Sequence, residues 1–320
     1  MWKLKSFREF LLHLQNLSVD RLVLISSFLF LIFMYPGHNS LQTIVINPGV
    51  VRSYVLPGIS PSLYPLSDGV SAPSNSARAI VVQDAVGRSI LYSKNPDTLL
   101  LPASITKIMT ALVALDHWGD LETVITVKNE DRAIGQTIDL ERGEQITLKN
   151  ILYGLLVHSG NDAALALADN FPGGYSAFVA AMNTKAKALH LDHTVFKNPS
   201  GVEQYGHVTT ARDLAILAGI AMQNPLIAKL VDTREITVMD VSGGISHHLT
   251  TTNELLGELE GLKGLKTGWT LNAGECLVSY VERDGHKIIV VVLGSLDRFG
   301  DTTKLVEWAY THHRWITPVL

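Results

Sequence analysis

Two hydrophobic periodicities are segregated along this chain: alternating, strand-like text stands at both ends of its C-terminal 240 or so residues, and 3.6-residue, helix-like text fills the middle. Near the start, Ala79-Ile-Val-Val-Gln83 and Ser89-Ile-Leu-Tyr92 flank Asp84-Ala-Val-Gly87, which predicts a hairpin whose glycine supplies a positive φ. Near the end, residues 262–270, 276–282 and 287–293 are strand-like, and Arg283-Asp-Gly285 predicts a tight hairpin between the last two. Between these ends a helix is expected from Ser104, because Ile105, Ile108, Met109, Leu112 and Leu115 recur at three- and four-residue steps, with Ser104 itself as N-cap. Short strands are expected within residues 123–147. Further helices are expected over residues 148–157, 162–169, 175–189, 211–222 and 303–312. Such an order predicts an α+β domain in which both chain ends build one largely antiparallel sheet and helices cover it.

Ahead of this domain the chain reads differently. Lys3, Lys5, Arg8 and Arg21 precede residues 22–35, LVLISSFLFLIFMY, which carry no charge. As a helix this run rises roughly 21 Å, short of a ~30 Å hydrocarbon core, so length favours a signal-peptide core. Pro36-Gly-His-Asn-Ser40 offers no clean small-x-small cleavage site, which favours an uncleaved signal-anchor. The expected organisation is a basic cytoplasmic tail over 1–21, a signal-anchor or signal peptide over 22–36, a Pro-, Ser- and Gly-rich linker over 37–76, and a folded domain over 77–320. Either fate of the hydrophobic run puts that domain on the outer face of the plasma membrane or beyond it. Lys and Arg number 26 against 30 Asp and Glu, which leaves no basic surface for nucleic acid. The single Cys276 sits in an apolar run and is expected to be a core residue.

Three short motifs carry chemistry. Ser104-Ile-Thr-Lys107 is the one S-x-x-K in the chain. Residues three apart share a helix face, so the Lys107 amine can reach the Ser104 hydroxyl and act as its base when neutral. Moving a lysine from about 10.4 to near 7 takes roughly 4 to 5 kcal/mol, available from burial and a second cation, for which Lys266 is the candidate. Alone the motif is weak, since about one chance occurrence is expected in a chain this long. Ser159-Gly-Asn161 follows the 148–157 helix: Gly160 permits a sharp turn, Ser159 a proton relay and Asn161 a two-way hydrogen-bonding group, although Asn161 or Asp162 would equally serve as a helix cap. Lys266-Thr267-Gly268 lies on a strand-like segment, where a cation and a hydroxyl can face a carboxylate and glycine leaves room for an extended peptide.

In this order, on helix start, turn and strand, the three motifs resemble the penicilloyl-serine transferase superfamily. The surrounding text resembles its D-alanyl-D-alanine carboxypeptidases, the low-molecular-mass penicillin-binding proteins: Leu101-Pro-Ala-Ser-Ile-Thr-Lys-Ile-Met-Thr-Ala111, Leu155-Leu-Val-His-Ser-Gly-Asn-Asp-Ala-Ala164, Asn198-Pro-Ser-Gly201, Thr210-Ala-Arg-Asp-Leu-Ala215 and Gly264-Leu-Lys-Thr-Gly268. The likeness runs over residues 77–312. It implies a β-lactamase/transpeptidase-like fold and removal of the terminal D-Ala from peptidoglycan stem peptides, with β-lactams as covalent inhibitors and no cofactor or metal. Ser104 would attack, Lys107 would accept its proton, and Ser159 with Asn161 would complete the catalytic set. The oxyanion would lie between the backbone N–H groups of Ser104 and Trp269. Lys266 and Thr267 would hold the substrate carboxylate, with Gly268 leaving room for the peptide against the strand. Arg298 is either a helper for that carboxylate or a solvated residue before the last helix.

Rival readings share the fold. A serine β-lactamase usually carries S-D-N at the second motif and an added Glu base, whereas this chain has Gly160, and neither Glu203 nor Glu254 has the matching context. A D,D-endopeptidase or transpeptidase uses the same acyl-enzyme. A non-catalytic peptidoglycan-binding module would keep the fold and lose turnover. The 12 His residues show no ligand spacing of the H-E-x-x-H kind, so no metal site is expected.

Overall fold

The computed structural model describes residues 18–34, 63–128 and 133–317. The chain divides into two units, Met1–Ser60 and Pro61–Leu320. In the first, helix α1 (Val19–Met34) covers most of the uncharged run. Among the described residues no single helix is long and apolar enough to cross a membrane. Residues 1–17 of the expected basic tail over 1–21, and residues 37–62 of the expected linker over 37–76, lie outside the described residues.

The second unit is built on a five-stranded antiparallel sheet. Strand β1 (Tyr64–Ser67) stands apart from it, and β2 (Ala79–Asp84) and β3 (Ile90–Lys94) form the expected hairpin. The glycine expectation fails there: Arg88, with φ 59°, takes the left-handed position instead of Gly87, whose N–H is held by the Asp84 carboxylate. A 3-10 turn (Ala103–Thr106) leads into α2 (Lys107–Trp118), so the helix expected from Ser104 starts at Lys107. The small hairpin β4 (Val124–Thr126) and β5 (Gln145–Thr147) precedes α3 (Leu148–Leu156), which Thr147 caps by accepting from Asn150 N at 3.3 Å. Then come α4 (Asn161–Asn170), α5 (Gly174–Ala188) and α6 (Ala211–Ala221), the last capped by the Thr210 hydroxyl.

Among the elements not legible in the sequence are α7 (Pro225–Val231), capped by Asn224, and the hairpin of β6 (Glu235–Met239) with β7 (Ser246–Thr250). The chain closes with β8 (Leu262–Thr270), β9 (Gly274–Arg283), β10 (His286–Ser295), α8 (Arg298–Thr311) and β11 (His313–Ile316). Asp284 and Gly285 both have positive φ, 49° and 77°, as the Asp-Gly signal requires. Helix α8 starts at Arg298, well before 303, because Asp297 caps it by accepting from Gly300 N at 2.8 Å.

Strand order in the main sheet is β3-β2-β10-β9-β8, all antiparallel, which joins segments from both ends of the domain as expected. Every residue of β2 is buried because both of its faces are covered. Ala79 and Val81, with Val278, Ile289 and Val291, face the large cluster that holds α2, α3 and α6. Ile80 and Val82, with Val290 and Val292, face Leu305, Val306 and Trp308 of α8. Helix α2 is buried from Lys107 through Ala114, which makes it the central helix of the layer and carries a lysine into the interior. Strand β8 is left at the sheet edge, with one side unpaired by other strands.

The stretch expected as linker is folded from residue 63 on. Strand β1 pairs with β11, Tyr64 opposite Ile316 and Ser67 opposite His313. Ser76 is tied to the other end of the domain through Asp301, which is buried and accepts from Ser76 N at 3.0 Å, Ser76 Oγ at 2.7 Å and Ser295 Oγ at 2.7 Å. Leaving those donors unpaired costs about 1 to 3 kcal/mol. Asp301→Ala is therefore expected to lower the free energy of unfolding by that amount, read as a lower urea midpoint at an unchanged slope; a loss within ~0.5 kcal/mol, the range of ordinary surface sites, contradicts the role assigned to this tie.

Candidate active site

Ser104 sits in the 3-10 turn between Pro102 and α2. Ala103 before it has φ 47°, a left-handed conformation that costs a non-glycine residue stability and tilts the turn toward β8. Two glycines hold it from opposite sides. A Cβ on Gly201, φ +87°, would lie 1.9 Å from the Ala103 carbonyl oxygen, and one on Gly268 would lie 3.1 Å from both Ala103 Cβ and Ser104 N. The glycine of the strand motif therefore makes room for the nucleophile turn, a different duty from the expected approach of a peptide. Ser104 does not cap a helix, and its N–H has no acceptor among the described residues.

In a 3-10 turn residues three apart eclipse, so Lys107 lies directly over Ser104. Its Nζ donates to Ser104 Oγ at 2.8 Å, to Asn161 Oδ1 at 2.6 Å and to the Ser200 carbonyl at 2.7 Å. The side chain has no solvent exposure. Burial, and next the charge of Lys266, push its pKa well below that of an ordinary lysine, against a smaller opposite pull from Asp162. Asp162 does not face Lys107 with a hydrogen bond; it accepts from Ile138 N and Leu140 N and so fixes the loop ahead of α4.

The second motif is arranged in an unexpected way. Ser159, with φ 67°, takes the left-handed turn, while Gly160 is at φ −58° and ψ 123°. Gly160 is needed for packing, since a Cβ there would lie 2.8 Å from Asp162 Oδ1 and 3.0 Å from Ile138 Cγ2. Asn161 is the first residue of α4, and its amide bridges Lys107 to the Ile134 carbonyl. Ser159 is buried in the cleft wall, and no hydrogen bond joins its hydroxyl to Lys107 or Lys266.

Lys266 is likewise buried, and its pKa is lowered to about 7 by burial and then by Arg298. Its Nζ donates to the Thr267 carbonyl at 3.1 Å. Thr267 Oγ1 meets Thr252 Oγ1 at 2.5 Å. Arg298 is no solvated residue before a helix: it opens α8, lines the cleft and donates from Nη1 to the Gly268 carbonyl at 3.2 Å. Trp269 stands exposed at the rim. Together the three motif segments enclose a cleft of about 560 Å³ lined by Ser104, Ser159, Asn161, Thr267, Gly268 and Arg298, among others.

Sequence reading missed the Ser200 carbonyl, Thr252 and the Ile134 and Gln136 carbonyls that orient Asn161, the last accepting from Asn161 N at 2.7 Å. Backbone acceptors leave no residue signature, and Thr252 lies in a Thr-Thr-Thr-Asn run with no periodicity to single it out. Among the described residues no group of three or more His, Cys, Asp or Glu side chains is placed to hold a metal. Cys276 is in the core, and burial raises its thiol to about 11.

A serine hydroxyl bonded to a buried lysine amine, beside an edge strand that carries a second lysine, places the chain among the penicilloyl-serine transferases. The sequence model of the D-alanyl-D-alanine carboxypeptidases, peptidase family S11, matches residues 67–296, and the chain belongs to that family. It is thus a peptidoglycan-acting serine enzyme that works through an acyl-enzyme. The D-alanyl-D-alanine carboxypeptidase DacF of Bacillus subtilis is 35% identical over 265 residues, which span 79% of this chain and 68% of that protein. The D-alanyl-D-alanine endopeptidase of Pseudomonas aeruginosa is 36% identical over 247 residues, 74% of this chain and 77% of that one. Among solved structures, the Streptomyces K15 DD-transpeptidase superposes with a TM-score of 0.71 at 31% identity, covering 76% of this chain and all of its own, 100%.

Removing the neighbouring charge tests the electrostatics. Lys266→Met takes away a cation that disfavours the Lys107 ammonium, so the Lys107 pKa rises and its neutral fraction at a given pH falls. The acid limb of Ser104 acylation by a chromogenic β-lactam is expected to move to higher pH in the variant. A limb that stays in place or moves to lower pH contradicts the coupling.

Proposed function

We propose that this chain is a D,D-peptidase that cleaves the bond after a D-Ala in peptidoglycan stem peptides, with Ser104 as nucleophile and Lys107 as its base. The observation that carries this reading is the 2.8 Å bond from a fully buried Lys107 amine to the Ser104 hydroxyl. A neutral Lys107 takes the hydroxyl proton as Ser104 Oγ attacks the carbonyl. The oxyanion lies between the N–H groups of Ser104 and Trp269, the first of which has no acceptor of its own among the described residues. Lys266 and Thr267 bind the carboxylate of the leaving residue, and Arg298 adds positive charge at the same end of the cleft. Ser159 passes the proton to the departing amine once substrate fills the space between the hydroxyl and Lys107. Water then attacks the ester and regenerates Ser104.

The leaving group is not restricted to a single D-Ala in this reading. Ile134, Gly135 and Gln136 on one rim and Trp269 and Leu271 on the other are exposed, so the cleft is not roofed against a substrate that continues past the scissile bond. That openness, with the endopeptidase and transpeptidase relatives, favours cleavage of D-Ala cross-links over trimming of free ends alone. We place the reaction outside the cytoplasm, as the substrate requires, with the apolar helix α1 serving as the membrane tether.

Two measurements test these statements. Mass spectrometry after benzylpenicillin treatment is expected to find a covalent adduct on Ser104 that is absent from Ser104→Ala; adduct-free wild-type protein defeats the acyl-enzyme assignment. Purified enzyme given a cross-linked muropeptide dimer and a D-Ala-D-Ala pentapeptide is expected to split the dimer. Release of D-Ala with the dimer intact returns the assignment to a strict carboxypeptidase.

A further inference from the structure

The hairpin of β6 and β7, which the sequence pattern does not announce, carries an ionisable pair into the interior. His247 on β7 faces Glu144, the residue before β5, and their side chains are shut off from water at 5% and 0% exposure. His247 Nε2 meets Glu144 Oε1 at 2.7 Å, and Nδ1 meets the Ile138 carbonyl at 2.7 Å. A carbonyl only accepts, so Nδ1 carries a hydrogen, and a second hydrogen lies between Nε2 and the carboxyl oxygen. Glu144 Oε2 accepts from Glu141 N at 2.9 Å, so each polar atom of the two side chains has a partner. The hairpin is itself anchored: Val241 N donates to the Gln145 carbonyl at 2.7 Å, and Asn150 Nδ2 to the Met239 carbonyl at 2.8 Å.

A buried pair of this kind is a poor source of stability, since well-packed apolar side chains of the same volume commonly do as well or better. What it adds is direction, and the residue it directs is Ile138. That residue is held on three sides. Its carbonyl accepts from His247, its N–H donates to Asp162 Oδ2 at 3.0 Å, and its side chain fills the room left by Gly154 and Gly160, where a Cβ would come within 2.4 Å and 3.0 Å of it. From this fixed point the chain runs back along the cleft rim, and both donor nitrogens of Asn161 end there. Asn161 N donates to the Gln136 carbonyl at 2.7 Å, and Nδ2 donates to the Ile134 carbonyl. The amide is thereby turned so that Oδ1 accepts from Lys107. His158 makes a second tie between rim and hairpin, with Nε2 2.7 Å from Gln136 Nε2 and Nδ1 3.1 Å from the Thr250 carbonyl.

We propose that Glu144 and His247 are positioning residues for acylation: by fixing the Ile138 carbonyl they set the 134–138 rim, through it the orientation of the Asn161 amide, and so the placement of the Lys107 amine against Ser104. This rests on the assignment of Ser104 as nucleophile and Lys107 as its base, and adds the device that aims that base. Neither residue is catalytic, because neither lines the cleft and neither bonds Ser104 or Lys107.

The test measures Ser104 acylation by benzylpenicillin on the full chain, as the rate constant at saturation and the concentration that gives half of it, with urea unfolding alongside. Glu144→Ala is expected to lower the rate constant about tenfold, because small displacements of a catalytic group are costly, and to leave the half-saturating concentration within about twofold. Glu144→Gln is expected to restore the rate constant to within about twofold of wild type, since its amide N–H can donate to Nε2 of a neutral His247 while its oxygen accepts from Glu141 N. A purely structural pair would lower the urea midpoint and leave the rate constant of the folded protein unchanged, and that result overturns the proposal. Should Glu144→Ala not fold, Glu144→Asp takes its place: it keeps the charge but withdraws the oxygen from Nε2, so it must acylate more slowly than Glu144→Gln, and equal or reversed rates overturn the proposal. Either result leaves the peptidase reading intact as long as wild type is labelled on Ser104. Wild-type protein with no label overturns both.

Discussion

A lysine amine shut away from water, between a serine hydroxyl, an asparagine oxygen and a backbone carbonyl, is the interaction on which the architecture turns. Lys107 Nζ has Ser104 Oγ, Asn161 Oδ1 and the Ser200 carbonyl as its partners. Burial without a carboxylate partner is what destabilises the ammonium, and a nearby Lys266 adds to it. Such a site costs stability, and the fold absorbs that by placing Lys107 at the start of a helix that is buried from Lys107 through Ala114. The same burial that makes the lysine expensive makes it a base.

The topology follows from the need to bring three distant segments onto this amine. With β2 and β3 from the front of the domain and β8, β9 and β10 from its end in one sheet, the strand that bears Lys266 falls at the edge, against the nucleophile turn. Gly268 and Gly201 allow the approach, because any Cβ at either position would meet Ala103 or Ser104. The helical layer supplies the remaining partner, since the break between α3 and α4 aims Asn161 at Lys107. Asp301 and the pairing of β1 with β11 then lock the front and back of the chain together on the far side of the sheet.

Much of this was legible before the structure, for physical reasons that differ between parts. Periodicity exposed the helices over 148–156 and 211–221 because one face of each meets the core, and Asp284-Gly285 exposed the β9–β10 hairpin because few residue pairs accept two positive φ angles. The motif residues were found by residue type and spacing, and the structure brings Ser104, Lys107, Ser159, Asn161, Thr267, Gly268 and Arg298 to one cleft or its wall. Backbone conformation at the site was not legible. Ser159 and Arg88 adopt left-handed angles beside the glycines that were the natural candidates, Ala103 does so with no glycine near it in the sequence, and Ala103 and Ser159 flank or form the catalytic cleft. Local propensity misleads there because the surrounding packing imposes the conformation. Short capped pieces such as α7 were missed because seven residues give periodicity too little room.

The absence of a carboxylate bonded to Ser104 or Lys107 among the described residues bears on how such a site treats its two kinds of acyl donor. A stem peptide loses its D-amino acid on acylation, which clears the carboxylate end of the cleft and admits a water that Lys107, neutral again after passing on its proton, can activate. In the proposed D,D-peptidase reading a β-lactam keeps its leaving amine tethered to the acyl group, so the same space stays filled and water is kept from Lys107. The nearest carboxylate in the lining, Glu203, is committed to the Thr270 to Asn272 turn and cannot substitute. In the same reading, ready release of peptides and slow release of β-lactams are the outcome expected of one arrangement, a buried Lys107 whose access to water depends on the departure of the leaving group.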